Sequence, residues 1–468
     1  MTEPGPLFHV TAPDGHRAPF YALQLDEDGR NRGPLTTTHL LDTLRAGDTT
    51  DVFVFCHGWN NDWDTALARY RDFIEEFQGV RARTGVQLGR DFRPVLAGIF
   101  WPSTALVWPW EEGPAPAAAG ENPPDPAVRE AVDSLAQVVP GADRDRFYAL
   151  VETPELDREG TARELAAILA AAQPGGDEEL GDDGSDASAD DLLAAWSALD
   201  AELGAGPAIP VDPFDFGAPA AAPGGGGPLA GPGGPEAAGL LDVLNPRNLI
   251  RALTVRQMKD RAGTVGTRGV GPLLRDVQAA APTARVHVIG HSYGARVLLN
   301  AVARPEGAPL PRPVDSMLLL QPAVNHLCFS PSLPDQPGAV GGYRPALAQV
   351  RLPILSTFSP HDFPLTKVFH LALCRQKDLG EIGVAGAGEP PNRFAALGGF
   401  GPRGEVPFRR TPTLLPPPGV APRPEDFYDL GPGGPEVWAL DGAGSITGHG
   451  DVTNPTTAWA LLNLVKAS

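Results

Sequence analysis

A serine stands between two glycines at Gly290-His291-Ser292-Tyr293-Gly294. The spacing is that of a nucleophile elbow, a sharp turn between a strand and a helix that presents a serine hydroxyl at the end of the strand. Glycines suit such a turn because the bend is tight and neighbouring backbones come close. A serine so placed can attack a carbonyl and carry the acyl group as a covalent intermediate. The helix that follows adds a dipole favouring the negative charge that develops in the attack.

An elbow needs a buried strand before it and a helix after it. The Val/Ile-rich run from Arg285 to Ile289 supplies the first, and the Ala/Leu-rich run 295–303 the second. Upstream, two short apolar runs at 7–10 and 20–25 flank turn formers and predict a hairpin, and 38–46 predicts a short helix. Asp51-Val-Phe-Val-Phe-Cys-His-Gly-Trp-Asn and Pro94-Val-Leu-Ala-Gly-Ile-Phe-Trp are continuous apolar runs. That pattern fits strands buried on both faces of a parallel sheet. Helical spacing over 62–78 (Trp63, Ala66, Leu67, Tyr70, Phe73, Ile74, Phe77) makes the unit strand, helix, strand. Downstream, strands are predicted at 315–322, 352–359 and 436–440, and helices at 245–259, 266–280 and 456–466. The stretch 380–424 reads as a Gly/Pro-rich connection.

Composition interrupts this alternation once. The 468 residues include 55 Gly and 52 Pro, nearly twice average usage, and carry a formal charge of −20. Residues 111–240 hold 26 Asp and Glu against 5 Arg and no Lys, a local charge of −21, so the remainder is close to neutral. That stretch predicts weak helices near 127–139, 143–152, 160–172 and 189–203, with disorder over 174–188 and 205–238. The chain therefore divides into a core in two parts, 1–104 and 241–468, around an acidic, partly disordered helical insertion, 105–240, a candidate cap. Such acidity argues against binding nucleic acid. Three cysteines, Cys56, Cys328 and Cys374, form no paired motif and fit reduced thiols. No signal peptide or transmembrane run is seen, so the expected setting is cytoplasmic. No His or Cys spacing fits a metal, and no phosphate-binding or dinucleotide fingerprint follows a strand, so no metal or cofactor is expected. The glycines of 263–271 lack a preceding strand and predict no phosphate cradle. The oligomeric state is not legible.

With the elbow in its strand–turn–helix setting, the chain resembles the α/β-hydrolase superfamily, in its lipase/esterase-like branch, over about 7–104 and 241–468. The resemblance implies an α/β-hydrolase fold, a mostly parallel central sheet with helices on both faces, and partners in the chain order nucleophile, acid, histidine. In that order Ser292 is followed by Asp362, just beyond the predicted strand 352–359, with Asp441 and Asp315 as competitors. The histidine place falls to His449, in a Gly-flanked loop before the last helix, with His361 and His370 as alternatives. His57-Gly58-Trp59-Asn60, after the strand from Asp51, takes the place of an oxyanion turn, with the backbone N–H groups of Trp59 and Tyr293 as donors. His57 is read as a structural residue of that turn, with Asn60 and Asn61 helping to hold it.

The implied activity is a serine hydrolase, carboxylesterase- or lipase-like, acting on a small-molecule acyl ester. A catalytically silent binding protein and an acyltransferase are the alternatives. His291 and Trp101 are pocket candidates. Trp101, with Trp108 and Trp110, either lines an acyl pocket or packs the root of the insertion.

Overall fold

The structure is a computed structural model that describes residues 4–11, 15–59, 61–88, 90–103, 132, 135–136, 139–151, 153, 156–157, 160–171, 189–190, 192–193, 196–197, 243–244, 257–333, 338–370, 394–412, 422–431 and 436–468. The opening runs form the antiparallel hairpin β1 (Phe8–Thr11) and β2 (Arg17–Gln24). α1 (Pro34–Arg45) starts before the expected residue 38, because a proline fits the first helical turn, where its missing N–H is not needed. Next come β3 (Asp51–Cys56), α2 (Trp63–Thr84) and β4 (Pro94–Phe100). Asp62 caps α2 by accepting the Thr65 N–H at 2.7 Å. The helix outruns the expected 78 and stops at Gly85, whose φ of 63° is the left-handed conformation that ends helices.

Within the acidic stretch lie α3 (Arg144–Val151), β5 (Leu156–Asp157) and α4 (Thr161–Ala171), and β5 pairs antiparallel with β6 (Val243–Leu244). Their apolar residues, among them Phe147, Leu150, Leu165, Leu169 and Trp196, make a small core of their own. The expected disorder over 174–188 and 205–238, most of 127–139, residues 245–256 and Cys374 lie outside the described residues.

The helix expected at 266–280 is not separate from the one expected at 245–259: α-helical residues 257–264 run without a break through a π-helix (Val265–Val270) into α5 (Gly271–Ala280). A side chain at Gly266 would collide with the Val297 carbonyl oxygen, so this glycine serves close packing on the helix after the elbow. That helix is α6 (Tyr293–Ala303), preceded by β7 (Arg285–His291) and followed by β8 (Ser316–Leu320) and β9 (Ile354–Phe358). The one-turn helix α7 (Leu397–Phe400), β10 (Phe408–Pro412), β11 (Val437–Asp441) and α8 (Pro455–Ala467) complete the chain. The expectation of a plain connection over 380–424 fails at β10. This strand lies at the edge of the sheet, where the proline and paired arginines that hide it in the sequence are tolerated.

Nine strands form one sheet in the order β1-β2-β4-β3-β7-β8-β9-β11-β10, all parallel except β1. Alternate residues of each central strand enter opposite cores. Val52, Val54, Val286, Val288, Met317 and Leu319 pack with α1, α5 and α6, whereas Phe53, Phe55, Ile289, Leu318 and Leu320 pack with α2 and α8. Helices thus cover both faces, as continuous apolar strands require. None of the described helices is long and apolar enough to cross a membrane.

The order reverses between β3 and β7: the chain passes from β3 outward to β4, then returns to the other side of β3 and proceeds to β8. Such a switch leaves a crevice at the carboxyl ends of the two strands, where open α/β sheets bind ligands. Near the amino ends of β3, β7 and β8 lies a closed polar cluster. Asp51 accepts from Arg90 at 2.7 and 2.9 Å and from His287 Nε2 at 3.1 Å, and Ser316 Oγ lies 2.7 Å from His287 Nδ1.

Candidate active site

Ser292 lies just beyond the end of β7, which pairs with β3 at the switch point. Its φ of 54° is in the left-handed region, which a non-glycine residue enters at a cost and which marks functional turns. The backbone holds it there: Ser292 N–H donates to the Leu320 carbonyl at 3.0 Å, and its own carbonyl accepts from Ala295 at 3.1 Å and Ala323 at 3.3 Å. A side chain at Gly290 would meet the Ala295 backbone at 2.7 Å, and one at Gly294 would collide with the Cys56 carbonyl oxygen. Both glycines are therefore demanded by the crossing of α6 over β3 and β7. The Ser292 side chain is fully buried, and its Oγ has no hydrogen-bond partner among the described residues.

The turn after β3 passes directly over Ser292. A Cβ on Gly58 would lie 2.6 Å from the Ser292 Cβ. His57 N–H donates to the Tyr70 hydroxyl at 2.8 Å, which donates to the Ile99 carbonyl at 2.6 Å, so α2 and β4 brace the turn. Asn61 Nδ2 donates to the carbonyls of Trp59 at 2.8 Å and Gly58 at 3.2 Å. The His57 ring donates from Nδ1 to the Gly58 carbonyl at 2.9 Å and accepts the Trp101 N–H at Nε2, 3.3 Å. Burial pushes this imidazole down to about 4. It is a neutral structural ring. Tyr293 leads α6, where backbone N–H groups point out of the helix end. Asn60 lies outside the described residues.

On the side of β7 away from β3, Asp362 follows β9 and His449 sits in the loop between β11 and α8. They are 87 residues apart in the chain and meet at 2.7 Å, His449 Nδ1 to Asp362 Oδ2. Asp362 Oδ1 accepts the Leu365 N–H at 3.0 Å, in the π-helix Pro364–Val368 that starts beside it. Ser359 Oγ donates to the Ile446 carbonyl at 2.7 Å, and Asp451 accepts from Thr447 at 2.9 Å, which sets the histidine loop. His291 Nε2 donates to the His449 carbonyl at 2.9 Å, and the two rings lie 5.0 Å apart. Burial first, and then the His449 charge, hold the His291 imidazole well below its ordinary range, so it acts as a neutral donor. The histidine loop is thus tied to the residue next to Ser292.

Of the competing acids, Asp315 sits at the other end of the sheet, with Arg312 and Arg351 at 2.9 and 3.0 Å, and Asp441 pairs with Arg410 at 2.9 Å. His361 is exposed, and His370 is buried, its imidazole pushed by burial down to about 4. Trp101 packs against the turn rather than standing free. Its indole N–H donates to the His57 carbonyl at 3.0 Å and its ring stacks on His57 at 5.8 Å. Trp101 borders an open cleft of about 320 Å3 with Arg32, Asn61, Asp62 and Trp63, and Ser292 is not part of that lining. His291 borders a cavity of about 40 Å3 with Arg69 and Tyr70. Trp108 and Trp110 lie outside the described residues.

Sequence reasoning passed over Gln321, Tyr70 and Ser103. Ser103 Oγ donates to the Asn61 carbonyl at 3.0 Å. Gln321 carries a φ of 43° and donates to Asp362 Oδ2 at 2.7 Å. Its signal is a lone amide between a five-residue apolar strand and a proline. Among the described residues no group of three or more His, Cys, Asp or Glu side chains could hold a metal ion. An imidazole held at Nδ1 by a carboxylate presents Nε2 as its proton-accepting nitrogen, and the strained Ser292 follows His291, whose Nε2 donates to the His449 carbonyl. No protein-family model, curated protein or solved structure matches the chain.

Proposed function

We propose that the chain is a serine hydrolase of the α/β-hydrolase fold that cleaves a carboxylic ester or related acyl bond, with residues 105–240 as an insertion in that fold. The observation that carries this reading is the buried Asp362–His449 pair at 2.7 Å, tied by His291 to the strand end that bears the strained Ser292. Ser292 Oγ attacks the substrate carbonyl as His449 Nε2 takes its proton. The carbonyl oxygen becomes an oxyanion facing the N–H groups of Trp59 and Tyr293, each such donor being worth about 3 kcal/mol. His449 then gives the proton to the leaving alcohol. Water, deprotonated by the same nitrogen, hydrolyses the acyl-serine.

Ser292 has no exposed surface, so a substrate reaches it only when an element above the carboxyl end of the sheet moves. That same burial favours a second reading, a silent hydrolase-fold protein that binds a partner. A fluorophosphonate probe separates the two. Covalent labelling of native protein that is lost in Ser292→Ala supports the hydrolase. Native protein that stays unlabelled over hours, or equal labelling of Ser292→Ala, sinks it.

A further inference from the structure

Gln321 directly follows β8, which lies between the strand that carries Ser292 and the strand that leads to Asp362. It is fully buried. Besides Ser292 it is the only described non-glycine residue with a positive φ, a conformation that L side chains disfavour. Four hydrogen bonds fix it. Its backbone N–H donates to Thr357 Oγ1 at 2.8 Å, and that hydroxyl donates to Gln321 Oε1 at 3.1 Å. Its Nε2 donates to Asp362 Oδ2 at 2.7 Å and to the Gly398 carbonyl at 3.1 Å. The amide has only one consistent orientation, because a carboxylate and a carbonyl can only accept, while the Thr357 hydroxyl has a hydrogen to give.

Asp362 Oδ2 therefore receives two N–H groups, one from Gln321 and one from His449. Resting on the hydrolase reading, we infer that Gln321 is a positioning residue: it fixes Asp362 Oδ2 where His449 Nδ1 meets it and tunes how strongly that oxygen holds the imidazole. The strained backbone follows from the task. Only with Gln321 turned out of the strand line does its amide reach an acid that follows the neighbouring strand. Without the Gln321 N–H, Oδ2 keeps more of its charge for His449, binds its proton more tightly, and is also free to swing.

The groups that act on His449 stay constant in the test. They are Asp362 at Nδ1, His291 with its ring 5.0 Å away, Arg69 of α2 on the Gly450 carbonyl, and Asp451 in the same loop. The test uses the full chain and the variants Gln321→Leu, Gln321→Glu and Thr357→Val. Proton NMR follows the low-field His449 Nδ1–H resonance, assigned by its loss in His449→Gln, beside the pH profile of ester hydrolysis. Gln321→Leu is expected to move the resonance further downfield and to lower kcat about 10- to 100-fold with KM within a factor of two. Gln321→Glu adds a second carboxylate, and the acid limb of kcat/KM moves to higher pH. Thr357→Val, which frees the amide to turn, gives a smaller change of the same kind. A resonance and acid limb that stay in place in folded variants overturn the inference. If Gln321→Leu does not fold, the other two variants decide on the same criteria. The NMR result stands apart from catalysis, so a wild type that turns over no ester would overturn the hydrolase reading and leave the Gln321–Asp362 coupling to be judged by the resonance alone.

Discussion

A serine, a histidine and an aspartate lie buried at each end of one sheet, and the two sets differ in how their members are bonded. At the amino end, Ser316 bonds His287 Nδ1 at 2.7 Å, His287 Nε2 bonds Asp51, and Arg90 grips Asp51 through two nitrogens. The serine lies in regular strand, and all three residues are closed off within the sheet. At the carboxyl end the ring is turned round: Nδ1 faces the acid. Asp362 takes its hydrogen bonds from an imidazole, an amide and a backbone N–H, and Ser292 is strained, its Oγ without a hydrogen-bond partner among the described residues. A buried cluster whose donors and acceptors are all matched is a brace. One that leaves a strained hydroxyl unmatched stores the potential for chemistry.

The largest expected contrast is in turnover. Ser292→Ala should lower kcat by at least about 10^4-fold, whereas Ser316→Ala should keep kcat within about twofold. Equal losses on an ester panel would erase the distinction. Gly58→Ala places a methyl 2.6 Å from the Ser292 Cβ. It should cut fluorophosphonate labelling about 100-fold and lower the melting temperature by a few degrees, since overpacking costs about 1–3 kcal/mol, and undiminished labelling would show that the turn does not govern Ser292.

The amino-end cluster should show itself in stability. Burial would raise the Asp51 carboxyl, but hydrogen bonds from His287, Arg90 and Thr50 outweigh it and hold it down at about 2, against an ordinary 3.8. A depressed acid stabilises the fold above its ordinary value. Asp51 therefore contributes about 2 kcal/mol above pH 4, lost as the pH falls from about 4 to about 2. Urea midpoints of wild type and Asp51→Asn should converge through that window. A gap that stays constant would mean that Asp51 gains nothing from its neighbours. The smallest effect is that of Ser316→Ala on stability, about 1–2 kcal/mol, since His287 Nδ1 loses its donor inside the sheet. Chemical denaturation would read it, and no loss would mean that water replaces the hydroxyl.

The carboxyl-end residues are more legible in the sequence than the amino-end ones. Ser292 announces itself through two glycines at fixed spacing, and both have steric work to do there. Asp362 and His449 are found by their places after a strand and before the last helix, which a linear sequence preserves. Asp51, His287 and Ser316 sit inside apolar strands with no local pattern, and only the pairing of β3, β7 and β8 brings them together. Gln321 is silent for the same reason, since its partners on Thr357, Asp362 and Gly398 are all distant in the chain. β10 is hidden by an edge composition that resembles a loop. In the π-helix before α5, Gly266 lies against Val297, a contact that helical periodicity does not encode.

One consequence of the sheet register reaches beyond packing. Cys56 lies opposite Gly290 across β3 and β7, and this alignment, with the braces from Tyr70 and Asn61, sets Gly58 over Ser292. A slip of one residue would displace the turn by about 3.3 Å and send Val52 and Val54 to the wrong core. The apolar residues of β3 and β7 therefore work as a vernier. Far from the reacting atoms, they calibrate the gap between a turn and a hydroxyl, and a chain folded out of step would lose its site together with its core.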